Sequence, residues 1–307
     1  MSEVRRLLTG PGRRDLAERR ESTGGPACSW PLTEATKRDT RVTDNLHTGH
    51  LPFAARRVDA QAVKDTREVV AEEVPIALSY NDVSHAVMMA TPRDLEDFAI
   101  GFSLSEGIVE HSGEIREIEQ RCEVGGVTLA LRVIERRMAA LRERRRALTG
   151  RTGCGLCGAE SLQQAIRPVA RVTASIRVTP AMIHEGFAQL HGQQTLNRTT
   201  GAVHAAALIG EGFVLVREDV GRHNALDKLI GAMERGGPRE GFLLVTSRAS
   251  YEMVHKAASA NVALMAAISA PTSLAIELAG QAGITLIGFA RGDSLTVYTQ
   301  ARGVLQV

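Results

Sequence analysis

With 307 residues, 44% hydrophobic and 23% charged side chains, the chain has the composition of an ordinary globular protein of about two domains. A formal net charge of +2 excludes a strong global field recruiting nucleic acid or an anionic membrane, and an aromatic content of 4% offers few stacking platforms for bases. Four cysteines, Cys28, Cys122, Cys154 and Cys157, are too few and too unevenly spaced for a disulfide framework, so reduced thiols are expected.

The N-terminus carries charge but no signal-like apolar core, and the longest apolar run, Val262–Ile268, is too short to span a bilayer. A cytoplasmic protein is expected. Residues 1–55 hold Arg pairs at 5 and 6, 13 and 14, and 19 and 20 among scattered Gly, Ser and Thr, which reads as a disordered extension because little burial offsets the entropy of ordering. An N-terminal α+β domain is expected over 56–150. Pro75–Tyr80 and His85–Met89 form a hairpin around Asn81 and Asp82. A helix follows, with Thr91 as its cap, Pro92 in the first position, Asp94 at the positive end, and Leu95, Phe98 and Phe102 on one face before Gly107. Val127, Leu129, Leu131 and Val133 alternate as a strand, and Glu135–Leu148 reads as a helix crowded with Arg, either a solvated face or a cationic surface for an anionic partner.

After a Gly-rich loop and linker over 151–170, residues 171–307 alternate in an α/β pattern. A capped helix spans Thr179–Leu190; strands are expected at 203–209, 212–217, 241–246, 284–289 and 295–299, and helices at 222–235, 250–266 and 272–281. The arrangement implies a mixed or mostly parallel sheet covered on both faces, with ligands outside the strand ends.

Residues 151–158 read Arg-Thr-Gly-Cys-Gly-Leu-Cys-Gly, placing Cys154 and Cys157 in a loop whose glycines limit steric cover. Arg151 and the basic helix before it favour thiolate, the form that attacks a persulfide or disulfide sulfur. Spacing alone leaves three rivals standing: half of a structural zinc site, a thioredoxin-like redox pair, and an unreactive loop. Zinc lacks a second CxxC or paired His at suitable spacing, and the expected surroundings are a loop after a basic helix rather than a βαβ unit.

Five segments together resemble the formate dehydrogenase accessory sulfurtransferase family, known as FdhD. They are Thr91–Phe98, Gly150–Gly158, Glu218–Asn224, Ser247–Glu252 and Ser269–Thr272, and the similarity covers about residues 70–300. The resemblance implies a sulfur carrier that accepts sulfur from a cysteine desulfurase as a persulfide on Cys154. It implies delivery to the molybdenum bis(molybdopterin guanine dinucleotide) cofactor before that cofactor enters formate dehydrogenase. Cys157 matches the second family cysteine and would assist; Cys28 and Cys122 are bystanders. A homodimer and a cytidine-deaminase-like fold for the C-terminal domain are implied as well.

No metal site is expected, since His204 is followed by Ala205 and Ala206 and no cysteine lies beyond Cys157, leaving the deaminase zinc signature unmet. By the same resemblance Phe289, Ala290, Arg291, Gly292, Asp293 and Ser294 bind the guanine dinucleotide part. Their types suit it: Phe289 to stack, Asp293 to accept from an exocyclic amine, Arg291 to pair with phosphate, Gly292 to admit the backbone closely. Without the resemblance the segment reads as a turn between two strands. Asp219, Arg222 and His223, with Ser247, Arg248 and Ser250, fall at two strand-to-helix junctions and line the same pocket or serve as caps and surface residues. The competing function is a cofactor-binding chaperone whose cysteines carry no sulfur.

Overall fold

The computed structural model describes residues 48–149, 169–301 and 305–306. An antiparallel ribbon of β1 (His50–Val58) and β2 (Val63–Ala71) precedes a four-stranded sheet of order β4-β3-β6-β5, made of β3 (Val74–Tyr80), β4 (Val83–Ala90), β5 (Ile115–Glu123) and β6 (Gly126–Val133). β3 and β6 run parallel; the other two pairs are antiparallel. Strict alternation puts Val74, Ile76, Leu78 and Tyr80 of β3 and Val127, Leu129, Leu131 and Val133 of β6 on one buried face. Helices α1 (Leu95–Ser105) and α2 (Glu135–Thr149) cover that face through Phe98, Phe102, Met138 and Leu141.

The second sheet has six strands, β7 (His204–Gly210), β8 (Phe213–Asp219), β9 (Phe242–Val245), β10 (Leu264–Ala267), β11 (Thr285–Arg291) and β12 (Ser294–Thr299), in the order β12-β11-β10-β9-β7-β8. β9, β10 and β11 are mutually parallel, β7 opposes β9, and β8 opposes β7, so β8 points the same way as the three central strands. Helices α3 (Pro180–Gln193) and α4 (Thr195–Thr200) precede the sheet, and α5 (Arg222–Glu234), α6 (Tyr251–Ser259) and α7 (Ser273–Ala282) alternate with its strands. One face packs on α5, α6 and α7 through Leu229, Met253 and Leu278; the other packs on α3 through Ile183, Phe187 and Leu190. This is a mixed α/β fold, and no helix of the described residues is long and apolar enough to cross a membrane.

Three expectations need correction. β1 starts at His50, inside the segment read as a disordered extension, because Leu51, Phe53 and the valines of β2 gain from cross-strand pairing that composition does not reveal. The helix expected over 250–266 ends at Ser259; Asn261, at φ 56°, stops it and accepts from the backbone of Thr173 and Ala174, and the apolar run beyond becomes strand β10, buried on both faces. Short continuous apolar runs carry no period that separates helix from strand. Thr91 does not cap α1: the N-cap is Asp94, held at φ 52° with no side-chain cap bond, while Thr91 is fully buried and serves the contact between the two sheets. The hairpin turn agrees with its sequence signal, since Asn81 and Asp82 both take the positive φ of a two-residue primed turn.

The two sheet units join where α1 crosses α5. A Cβ on Gly101 would lie 1.7 Å from the Asp227 carbonyl oxygen, and one on Gly231 would lie 1.8 Å from that of Asp97, so each glycine admits the other helix's backbone. Around the crossing, Asp97 accepts from Arg217 Nη2 at 2.7 Å and Arg235 Nη1 at 2.8 Å. Asp219 Oδ2 accepts from Lys228 Nζ at 2.6 Å and from the Thr91 amide at 3.0 Å, and Lys228 also donates to the Thr91 carbonyl.

The first turn of the Arg-rich helix is neutralised locally. Buried Glu114 accepts from Arg136, Arg137 and the Glu110 amide, and the Arg137 hydrogen bond leads in holding its carboxyl down at about 2, against an ordinary 4.5.

Gly101→Ala is expected to cost about 3 kcal/mol or more, lowering Tm by roughly 6–12 °C in thermal melting, because backbone rather than a flexible side chain occupies the space. For Glu114 the depressed value means that its contribution to stability is complete above about 4.5 and is lost as pH falls towards about 2. Denaturant titrations at successive pH values should therefore show a smaller acid-dependent loss in Glu114→Gln than in the parent.

Candidate functional site

Because β8, β9, β10 and β11 point the same way, the segments that follow them share one end of the sheet. Ligands of open α/β sheets bind outside such strand ends. Asp219–His223 leave β8; Ser247–Glu252 follow β9; Ser269–Thr272 follow β10; Phe289–Ser294 close β11 onto β12. Direct contacts string three of them together. The Phe289 amide donates to the Ser269 carbonyl at 3.2 Å, and the Thr272 amide donates to the Ala249 carbonyl at 3.0 Å. A Cβ on Gly288 would meet Pro271 Cδ at 2.7 Å. The motif around Thr91 supports the rim from behind, since the Asp219 carboxylate that holds Thr91 also accepts from the Gly221 amide at 2.7 Å and from Asn224 Nδ2 at 3.0 Å.

At the β11 end, the strand runs through Arg291, two residues beyond the expected end at 289, and the turn falls on Gly292 and Asp293. Phe289 holds φ 50° and breaks the register between Gly288 and Arg291, which leaves its ring 36% exposed under the Arg291 guanidinium at 5.6 Å. Ala290 is buried, while Arg291, Gly292, Asp293 and Ser294 are exposed at the hairpin tip. Positive φ in an aromatic residue is a strained choice that the surrounding structure must impose.

At the other end, a cavity of about 170 Å³ opens between α1, α5 and α6, lined by Met88, Phe102, His223, Tyr251, Glu252 and Lys256 among others. Its floor is a buried network in which Lys256 Nζ donates to Asp227 Oδ1 at 2.9 Å, Ser105 Oγ at 2.8 Å and Glu106 Oε1 at 3.2 Å. Burial opposes the Lys256 charge, yet Asp227 and Glu106 raise its pKa overall. At the rim His223 Nε2 lies 2.7 Å from Glu252 Oε2 but is not aligned with it for a hydrogen bond. Burial, with help from Arg222 and Lys256, lowers the His223 pKa and favours the neutral imidazole, against the pull of Glu252. Four buried polar side-chain atoms among the described residues lack a hydrogen-bond partner, and three of them, Arg222 Nε, His223 Nε2 and Ser250 Oγ, belong to the starts of α5 and α6.

The sequence profile of the FdhD/NarQ family matches residues 71–305. The chain belongs to that family. Its relatives include a sulfur carrier protein FdhD of Cupriavidus necator, 51% identical over 253 residues, covering 81% of this chain and 88% of that one. The FdhD of Xanthomonas campestris is 52% identical over 258 residues, with 83% and 92% covered. Among solved structures, one from Desulfotalea psychrophila, provisionally described as a formate dehydrogenase accessory protein, superposes with a TM-score of 0.65 at 25% identity, covering 83% of this chain and 99% of that one.

Cys154 and Cys157 lie outside the described residues, as does Cys28. Cys122, for which a reduced thiol was expected, sits exposed on the edge strand β5 and is disulfide-bonded. Glu218 is structural, since its carboxylate accepts from the amides of Leu196 and Asn197 at the start of α4. Sequence reasoning missed Glu106, Asp227 and Lys256. Asp227, and Lys228 beside it, interrupt an otherwise apolar helix face, and an uninterrupted Leu226, Leu229 and Ile230 around them was the available signal that these charges are buried.

If strain at Phe289 is imposed for exposure of the ring, Phe289→Gly should leave Tm unchanged or slightly raised. Relief of about 1–2 kcal/mol of left-handed strain offsets the entropy of the added glycine. Thermal melting of the two proteins side by side checks this.

Proposed function

We propose that this chain receives sulfur on Cys154 as a persulfide and passes it to the molybdenum bis(molybdopterin guanine dinucleotide) cofactor bound for formate dehydrogenase, with the cofactor lying along the sheet rim as substrate. The observation that carries the reading is the convergence of four separate loop motifs at one rim, in a chain whose relatives are named sulfur carriers. Loading is a thiol exchange. The Cys154 thiolate attacks the terminal sulfur of a cysteine desulfurase persulfide, the bond to the desulfurase sulfur breaks, and the desulfurase sulfur leaves as thiolate. Cys157 assists by exchange or by resolving the persulfide, its thiolate attacking Cys154 Sγ so that the terminal sulfur leaves as hydrosulfide and a Cys154–Cys157 disulfide remains.

Phe289, Ala290, Arg291, Gly292, Asp293 and Ser294 hold the guanine dinucleotide part. An exposed aromatic ring, a carboxylate and a guanidinium on one hairpin tip support that role. The hairpin β7–β8 at the head of the parallel strands β9, β10 and β11 supports a cytidine-deaminase-like description of residues 171–307, with 56–150 as a separate N-terminal domain and 151–170 as the linker bearing the cysteines. Action in the cytoplasm, as a homodimer, completes the reading.

Intact-protein mass spectrometry after incubation with a cysteine desulfurase and cysteine tests it. The parent should gain one reductant-sensitive sulfur atom, Cys154→Ser should gain none, and Cys157→Ser should retain uptake. Absence of any gain in the parent, with the desulfurase competent toward a control acceptor, would leave a cofactor-binding chaperone as the better account, and such a chaperone should tolerate Cys154→Ser in both binding and delivery.

A further inference from the structure

The cavity between α1, α5 and α6 is not part of the hairpin tip assigned to the guanine dinucleotide, and its chemistry differs from that of a phosphate site. Three carboxylates, Glu106, Asp227 and Glu252, face one ammonium, Lys256, and that ammonium is already bonded to Asp227, Glu106 and Ser105. An anion would meet net negative charge there. A metal ion does not account for the charge either, because no group of three or more His, Cys, Asp or Glu among the described residues is arranged to hold one. What remains is a ligand that donates hydrogen bonds.

The walls narrow the class further. Phe102 and Met88 supply apolar surface, and Tyr251 and His255 stand as a tilted ring pair 6.1 Å apart. A cavity of about 150 Å³ holds a single benzene ring. One of 170 Å³ with an open mouth therefore takes a flat heterocycle with part of its edge at the rim. At that rim the Glu252 side chain is 63% exposed, and His223 Nε2, 2.7 Å from Glu252 Oε2 but not aligned with it, is a buried polar atom without a hydrogen-bond partner. Unpartnered buried polar atoms call for a bonding group not yet in place.

We infer that this cavity takes a 2-amino-4-oxopyrimidine edge, whose ring N–H and exocyclic amine donate to the Glu252 carboxylate and whose oxygen accepts from His223 Nε2 beside it. Resting on the cofactor reading above, the occupant is the pterin end of the ligand. The ligand then lies along the rim with guanine at Phe289 and Asp293 and pterin at Tyr251 and Glu252. Each end has an aromatic ring beside a carboxylate, and the row Phe289, Ser269, Thr272, Ala249 joins them.

Guanine carries the same edge as pterin, so the test must separate the two. Free pterin (2-amino-4-oxopteridine) and guanosine diphosphate are titrated by fluorescence against the full chain, Glu252→Gln and Asp293→Asn, with thermal melting to show that each variant is folded. Glu252→Gln should weaken pterin tenfold or more, the loss expected for a charged hydrogen-bond acceptor, and leave guanosine diphosphate within about twofold. Asp293→Asn should do the reverse. Pterin affinity indifferent to Glu252→Gln, or guanosine diphosphate affinity that depends on Glu252, overturns the inference. Binding of guanosine diphosphate without pterin by the parent refutes the pterin cavity while sparing the function proposed above; binding of neither refutes both.

Discussion

Everything at the rim depends on how closely α1 approaches α5. Two glycines, each facing the other helix's carbonyl, let the backbones touch, and no side chain mediates at those points. Close backbone contact would leave polar groups stranded were they not paired. The crossing is accordingly surrounded by buried charges with specific partners: Asp97 with Arg217 and Arg235, Asp219 with Lys228 and Thr91, and Asp227 with Lys256 and Ser105. Such pairs add little net stability once desolvation is counted, but breaking one is costly, so they discriminate strongly against any other docking of the two sheet units. Glycine contact sets the distance, and the ion pairs set the register.

Asp219 shows how this constraint reaches the site. Its carboxylate lies at the end of β8, fully buried, and accepts from four groups at once: the Thr91 and Gly221 amides, Asn224 and Lys228. Thr91 belongs to the N-terminal unit and Gly221 to the loop that presents Arg222 and His223. The rim loop is thus held by the same atoms that hold the two units together. A carboxylate so engaged is a support of the site and not a ligand-facing group, which separates it from Arg222 and His223 three and four residues later.

The sequence revealed the parts with strong periodicity and the parts with motif character. Alternating β3 and β6, the Asn81–Asp82 turn and the α/β order after residue 171 follow from side-chain spacing. β10 did not, because Leu264–Ala267 is apolar at every position and follows a helix with only Asn261 to mark its end. β5 did not, because its charged, largely exposed edge has the composition of a loop. The hairpin tip at Phe289–Ser294 was legible as a turn. That Phe289 adopts a left-handed conformation was not, since its amide bonds Ser269 in the loop after β10, a contact that local sequence does not reveal. Lys256, Asp227 and Glu106 come from three positions far apart in the chain, and only the α1–α5–α6 packing makes them one network.

That packing also gives the cavity two unlike parts. Its floor is built from paired buried charges beside a glycine crossing, whereas its rim carries an exposed carboxylate, Glu252, and His223 Nε2, a buried atom lacking a hydrogen-bond partner. An unpaired rim group provides a directional bond formed only when a ligand is present. The segment 150–168, which carries Cys154 and Cys157, leaves the N-terminal unit at the end of α2 and rejoins the chain at Val169, which packs on the core beneath α5, α6 and α7. Its two attachment points therefore lie on the two units whose junction forms the cavity.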